Sequence, residues 1–169
     1  MQFGNSPLEI MACNAMLNGE IYCSEFTYSA TWLTGTATAL AANGTTDSPI
    51  QINADADFIA QECNLSAFTA ADTPETNPDY TLLIVMAGSG RQLMNQAQHV
   101  MNYCGAFVGT NSLQIPVSLG MPLLFTANTT ITNTLTNRSA VAANRVDLMF
   151  RGFKVYYTGG NRQKIFHVM

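Results

Sequence analysis

Charge is what this chain has least of. Asp, Glu, Lys and Arg make up 11% of its 169 residues, against roughly 25% in ordinary soluble domains. The shortage is lopsided. Residues 1–90 hold Glu9, Glu20, Glu25, Asp47, Asp55, Asp57, Glu62, Asp72, Glu75 and Asp79 but neither Lys nor Arg. Residues 91–169 hold Arg91, Arg138, Arg145, Arg151, Lys154, Arg162 and Lys164 beside Asp147 alone. A net charge of −4 argues against nucleic acid as a main partner. A surface this poor in charge is weakly protected against association. It suits a protein covered by copies of itself or by neighbours, and equally an ordinary low-charge β domain. Acidic and basic segments can pair within one molecule, or an acidic face can meet a basic face of the next subunit; the sequence leaves both open.

Other absences narrow the classes further. No apolar run approaches the roughly 20 residues that span a membrane. The start, MQFGNSPLEI, has no basic segment followed by an apolar one, so no signal peptide is expected. Cys13, Cys23, Cys63 and Cys104 form no C-x-x-C pair, and reduced, buried thiols are expected of a protein made in a cytoplasm. His99 and His167 lie far apart with no zinc spacing around them. Gly88-Ser-Gly-Arg-Gln lacks the Lys-Ser/Thr of a phosphate loop. Asn53-Ala-Asp55-Ala-Asp57 begins like a calcium loop, but Phe58 stands where Gly is needed and Asn64 where Glu is needed. Calcium between loops stays open; the plainer reading is a polar strand edge whose carboxylates face Arg145 or Arg151. No spacing selects a carboxylate pair for hydrolysis. No catalytic residue, cofactor or metal is therefore assigned, and the expectation is a protein that is not an enzyme. Tyr156, Tyr157, Phe26 and Tyr28 have the ring faces to stack on sugars, though strand aromatics usually belong to cores.

What the chain does have is Thr and Asn, in TGTATAL, NGTTDS and TANTTITNTLTN. Thr suits pleated surface and Asn suits turns, so the lean is all-β. The clearest element is the last. In Asn144–Tyr157, Val146, Leu148 and Phe150 alternate with Arg145, Asp147 and Arg151, the period of a half-buried strand. After Gly152, Phe153, Val155 and Tyr157 carry the apolar phase, so a β-bulge is expected at Gly152.

In chain order, Ser6-Pro-Leu-Glu9 reads as a helix start with capping box and Pro at the first position. Leu8, Met11, Ala12, Ala15 and Met16 share one helical face, and Gly19 ends it. Residues 1–20 are thus an N-terminal arm or short helix, or an irregular lead-in. Strands are expected at Ile21–Leu33 with Trp32 in the core, more weakly at Thr34–Leu40, then at Pro49–Asn53, Phe58–Phe68, Ala127–Asn137 and Asn144–Tyr157. Tyr80–Met86 reads as a strand buried on both faces. Asp72–Asp79 is an acidic loop. A helical stripe at Leu93, Met94, Ala97, Val100 and Met101 takes Ser89 as cap and Gly105 as stop. Ser112–Leu124, broken by Pro116 and Pro122, suits an edge or loop. Residues 158–169 form a tail. The expectation is one domain over 1–169: an all-β, two-sheet antiparallel sandwich, jelly-roll-like, of about eight strands with one or two short helices.

One further pattern runs through Gln51-Ile-Asn-Ala-Asp-Ala-Asp-Phe58, Leu82-Leu-Ile84 leading to Gly90-Arg91-Gln-Leu93, Pro116 and Pro122, Ile131 to Leu135 with Thr136-Asn-Arg-Ser139, and Val146-Asp-Leu-Met-Phe-Arg-Gly-Phe-Lys154. Spread over about Pro49–Tyr157, it resembles small virion structural proteins of tailed bacteriophages, most of all jelly-roll cement or decoration proteins. The resemblance implies a non-enzymatic protein on the capsid exterior, made in the bacterial host cytoplasm. Its partners would be the major capsid protein and itself, as a homodimer or higher oligomer, with no nucleic acid and no membrane. The same sandwich serves in head–tail neck parts and in tail or fibre modules that bind receptors or glycans, which is the alternative. Candidate interface or structural charges are Asp55, Asp57, Arg145, Arg151 and Lys154.

Overall fold

The structure is a computed structural model. It describes residues 6–71, 73–75, 78–87, 93–104 and 117–158. The elements are α1 (Pro7–Leu17), β1 (Ile21–Leu33), β2 (Thr45–Gln51), β3 (Asp57–Phe68), β4 (Tyr80–Ala87), β5 (Gln98–His99), α2 (Val100–Tyr103), β6 (Val117–Phe125), β7 (Thr130–Asn137) and β8 (Arg145–Tyr157).

The strands pair as one long hairpin rolled up. β1 pairs with β8, β2 with β7, β3 with β6 and β4 with β5, all antiparallel. Rolling adds β3 to β8 and β4 to β7. Two four-stranded sheets result, β1-β8-β3-β6 and β2-β7-β4-β5. That nested order is the jelly-roll winding, an all-β two-sheet sandwich. Pro49 and Pro122 fall on the edge strands β2 and β6, where a missing N–H costs no central ladder bond.

Alternate side chains of both sheets fill the space between them. Tyr28, Ala30 and Trp32 of β1, Val146, Leu148 and Phe150 of β8, Leu82 and Ile84 of β4, and Ile131 and Leu135 of β7 belong to one buried cluster. Trp32 is 1% exposed and its indole N–H donates to the Thr46 carbonyl at 2.9 Å, tying β1 to β2. Burying an aliphatic or aromatic side chain of this size contributes about 2 kcal/mol.

A second, smaller cluster lies on the other face of the first sheet. Leu8, Ala12 and Ala15 of α1 cover Ile21, Ile59 and Val155, with Tyr157 packed beside them. α1 begins where the sequence places it. Ser6 Oγ accepts from Glu9 N–H at 3.3 Å, and Glu9 Oε2 accepts from Ser6 N–H at 3.2 Å. Gly19, at φ +71°, follows the Asn18 C-cap.

This helix overturns the expected bulge at Gly152. β8 faces β1 without a break, from Arg145 opposite Leu33 to Tyr157 opposite Ile21. The phase of β8 never shifts. Instead its odd-numbered face is polar at Asp147 and Arg151 and becomes apolar at Val155 and Tyr157, where α1 lies on it. The bulge is on the neighbour: the register of β3 shifts between Ala60 and Glu62, leaving Gln61 as the extra residue. Phe58 and Ala60 before it, and Cys63, Leu65 and Ala67 after it, all reach the central core.

Other expectations change as well. Thr34–Leu40 is not a strand but a run of turns, opened by Gly35 at φ +78° and by the Thr36 hydroxyl donating to the Leu33 carbonyl at 2.7 Å. Leu40 still reaches the core at 2% exposed. The stripe from Leu93 yields only the single turn α2, because Gln98 and His99 are taken by pairing with β4. The His99 ring nitrogen Nδ1 caps this turn by accepting from Met101 N–H at 3.3 Å. Ser89 and Gly105 lie outside the described residues, as do Asp72, Arg91, Pro116, Arg162, Lys164, His167 and 159–169 of the tail. β4 buries Tyr80, Leu82, Ile84 and Met86 but leaves Thr81, Leu83 and Val85 half-buried, so only one of its faces is fully covered.

Candidate functional site

The even-numbered positions of β1 and β8 face the inter-sheet core along most of their length. At the end where β1 begins and β8 finishes, that same face is open. The register sets Tyr22 opposite Tyr156, Ser24 opposite Lys154 and Phe26 opposite Gly152. Tyr22 and Tyr156 stack with ring centres 4.6 Å apart and planes 6° from parallel. Tyr22 is 55% exposed and Phe26 37% exposed. From Phe26 a chain of ring contacts leads inward through Tyr28 and Phe58 to Phe125 and Phe150. The surface patch is thus rooted in the core.

Lys154 sits beneath this patch. Its ammonium lies 3.0 and 3.1 Å from the two Asp55 carboxylate oxygens and 4.3 Å from the centre of the Phe26 ring. The lysine side chain is 5% exposed while the Asp55 side chain is 49% exposed. Burial alone would lower the Lys154 pKa. Hydrogen bonding to Asp55 and the fields of Tyr28 and Asp55 overcome it and raise the pKa above the ordinary lysine value. The hydrogen bond from Lys154 in turn holds the Asp55 carboxyl below its ordinary value. The Tyr156 hydroxyl donates to Asp55 at 3.4 Å, and burial raises its pKa. Phe26, Tyr156 and Asp55 thus surround a lysine that stays charged, by ring face, hydroxyl and carboxylate.

The other candidate charges are apart from this group. Asp57 is 3% exposed; it accepts from Ala127 N–H at 2.7 Å and from the Tyr157 hydroxyl at 2.6 Å, on the face that α1 covers. Asp55 and Asp57 therefore serve opposite faces, and neither meets Arg145 or Arg151. Arg145 lies 3.1 Å from Asp147, with its guanidinium 4.0 Å over the Phe68 ring. Arg151 stands 3.6 Å from Glu62, its side chain 63% exposed. Lys154–Asp55, Arg151–Glu62 and Arg138–Asp79 join the acidic and basic halves of the chain within one molecule.

A second feature is a cleft of about 340 Å³ at the opposite end, lined by Thr69, Glu75, Asp79, Tyr80 and Ser139 among others. Its Tyr80 hydroxyl donates to both Glu75 oxygens, at 2.9 and 3.2 Å, and burial first, then Glu75, pushes its pKa well up. A tyrosine so held has no basic form to offer near neutral pH. Cys63 and Cys104, both buried, place their sulfurs 3.4 Å apart, and the hydrogen bond between them, with burial, drives the Cys63 pKa far up. Among the described residues, no group of three or more His, Cys, Asp or Glu is placed to hold a metal ion, and no helix is long and apolar enough to cross a membrane.

The aromatic patch was half visible in the sequence, where Phe26, Tyr28 and Tyr156 stand out. Tyr22, its most exposed ring at 55%, lies inside the expected strand Ile21–Leu33 and is not marked out there by type. The signal was the position of each ring near a strand end, Tyr22 three residues after Gly19 in β1 and Tyr156 near the close of the β8 pattern, which the antiparallel register sets opposite each other. No protein-family model matches the chain, and no curated protein matches its sequence.

Proposed function

We propose that this chain is a non-enzymatic structural protein of a bacteriophage virion, a cement or decoration protein that binds the major capsid shell from outside through subunit contacts. The observation that carries this reading is the open end of the first sheet. In a jelly roll poor in charge, Tyr22, Phe26 and Tyr156 present ring faces on the rigid strands β1 and β8, with Lys154 and Asp55 fixing the floor beneath. Exposed aromatics rooted in a packed core are the kind of residue that anchors protein interfaces. The winding is one that capsid proteins share with lectins and cupins, so the fold by itself selects no function. Many copies on one lattice add weak contacts into firm occupancy. The reading also places the protein's synthesis in the bacterial cytoplasm.

Titrating the purified protein onto shells stripped of it tests the reading. Saturable co-sedimentation with a rise in shell melting temperature is expected, and weakened binding by Phe26→Ser. Shells that neither bind the protein nor gain stability would refute it.

The same stacked tyrosines favour a second reading, a neck, tail or fibre part whose patch holds sugar rings beside the Asp55 carboxylate. That reading requires glycan-array hits abolished by Tyr22→Ala; an array without hits removes it.

A further inference from the structure

Of the strand edges in this sandwich, three are guarded against pairing with another chain. β2 carries Pro49 and β6 carries Pro122, while β5 is two residues long. β1 is different. It is 13 residues long, has no Pro, Lys or Arg, and carries Glu25 as its single charge. Tyr22 and the run Ser24–Thr27 are exposed, in the middle of a strand whose later half is core.

The hydrogen-bond phase of this edge can be read from its flanks. Thr34 N–H donates to the Asn144 carbonyl, and Thr158 N–H donates to the Glu20 carbonyl. Even-numbered positions of β1 therefore bond toward β8, because the alternation is fixed along an unbroken antiparallel pair. The N–H and C=O groups of Ile21, Cys23, Glu25, Thr27 and Ser29 point to the open edge. Beyond them the edge is closed: the Ser48 hydroxyl donates to the Thr31 carbonyl at 3.2 Å, and Thr36 takes the Leu33 carbonyl.

We propose that this edge pairs with the same edge of a second copy, antiparallel about a two-fold axis at Phe26, joining two first sheets into one of eight strands. The partner is argued from self-complementarity. Pairing about Phe26 sets Glu25 opposite Thr27 and Cys23 opposite Ser29, so outward-pointing groups meet outward-pointing groups from Cys23 to Ser29. No two Glu25 carboxylates face each other. Even positions of both copies stay on one face, so the two Phe26 rings become neighbours at the axis and a Tyr22–Tyr156 stack flanks them on either side. An isologous contact of this kind closes on itself as a dimer and leaves only the Pro122-guarded β6 edges at the ends of the joined sheet. The proposal deepens the reading of the chain as a protein of subunit contacts and names the surface used between its own copies.

Sedimentation equilibrium of the purified full chain tests it without any shell. A dimer is expected. Thr27→Pro removes an N–H that points only to the open edge, so it should keep the circular dichroism and melting temperature and weaken self-association roughly tenfold or more. Phe26→Cys should yield a covalent dimer under mild oxidation, since residues opposite each other in a non-hydrogen-bonded pair come within disulfide reach. The parent protein and Met121→Cys, exposed on the far edge strand, should not. A parent chain that stays monomeric at all concentrations overturns the proposal. So does a dimer that a folded Thr27→Pro leaves intact, or a Phe26→Cys that fails to cross-link; if Thr27→Pro does not fold, the cross-link alone decides. A dimer that ignores shells would refute the capsid reading and leave this one standing, and a monomer that binds shells would do the reverse.

Discussion

Gly152 on β8 passes so close to Ile59 on β3 that no side chain fits between them. A Cβ built on Gly152 would run into the Ile59 carbonyl oxygen and lie 2.9 Å from its carbon. The approach is a product of the bulge at Gln61, which draws the β3 backbone toward β8. The bulge residue is fixed from above: Gln61 donates to Glu9 Oε1 at 2.5 Å, and the other Glu9 oxygen closes the α1 cap. One glutamate thus joins the helix start to the bulge, and the bulge demands the glycine.

Gly152→Ala should therefore destabilise the protein by about 2–3 kcal/mol, since the obstacle is backbone and not a movable side chain. Urea unfolding measures it. An unchanged midpoint would mean that β3 and β8 are farther apart than described.

Glu9→Ala should cost about 1–2 kcal/mol, by opening the cap and freeing Gln61. Hydrogen exchange should show α1 amides losing protection before those of β7. Uniform loss across both sheets would place α1 in the central cooperative unit instead.

The Lys154–Asp55 pair predicts a pH signature at both ends. Asp55 has a folded pKa below its ordinary 3.8, so its contribution is present above that value and is lost as pH falls through the folded pKa. Lys154 has a folded pKa above its ordinary 10.5, so its contribution is present below that value and is lost as pH rises through the folded pKa. Asp55→Asn should flatten the acid limb of the stability profile. Lys154→Met should flatten both limbs. Profiles parallel to the parent's would remove the pair from the stability account.

Arg151→Glu separates structure from association. The Arg151–Glu62 pair is long and exposed, so reversing its charge should change stability by less than about 1 kcal/mol. Shell binding measured on the same variant then reports surface chemistry and not unfolding. A drop in melting temperature beyond that would make the pair structural.

Much of the sandwich is legible in the residues. β8 carries a period-two pattern, Ile21–Leu33 and Phe58–Phe68 read as strands by composition, and the cap Ser6-Pro-Leu-Glu9 marks α1 outright. The failures have physical causes. The phase change after Gly152 looked like a bulge because a helix lying on a sheet and a one-residue insertion leave the same alternation in one strand. Only the partner strand tells them apart. Thr34–Leu40 has strand-forming residues, yet Gly35 and the Thr36 hydroxyl turn the backbone locally. Asn133 shares the buried face of Ile131 and Leu135, where an amide is unexpected by type; it is 0% exposed and donates to the Ser48 carbonyl at 3.0 Å. Of the five candidate charges, Lys154 and Asp55 alone lie in the aromatic patch. Residue type could not reveal this, since it depends on which face each strand turns to the open end.

Cryo-electron microscopy of the virion proposed to carry this chain tests the central claim most directly. Density for the chain is predicted on the outer shell in many symmetry-related copies, with Tyr22, Phe26 and Tyr156 buried against a neighbouring subunit. Particles without the chain, or with it confined to the tail and that patch bare, would contradict the account.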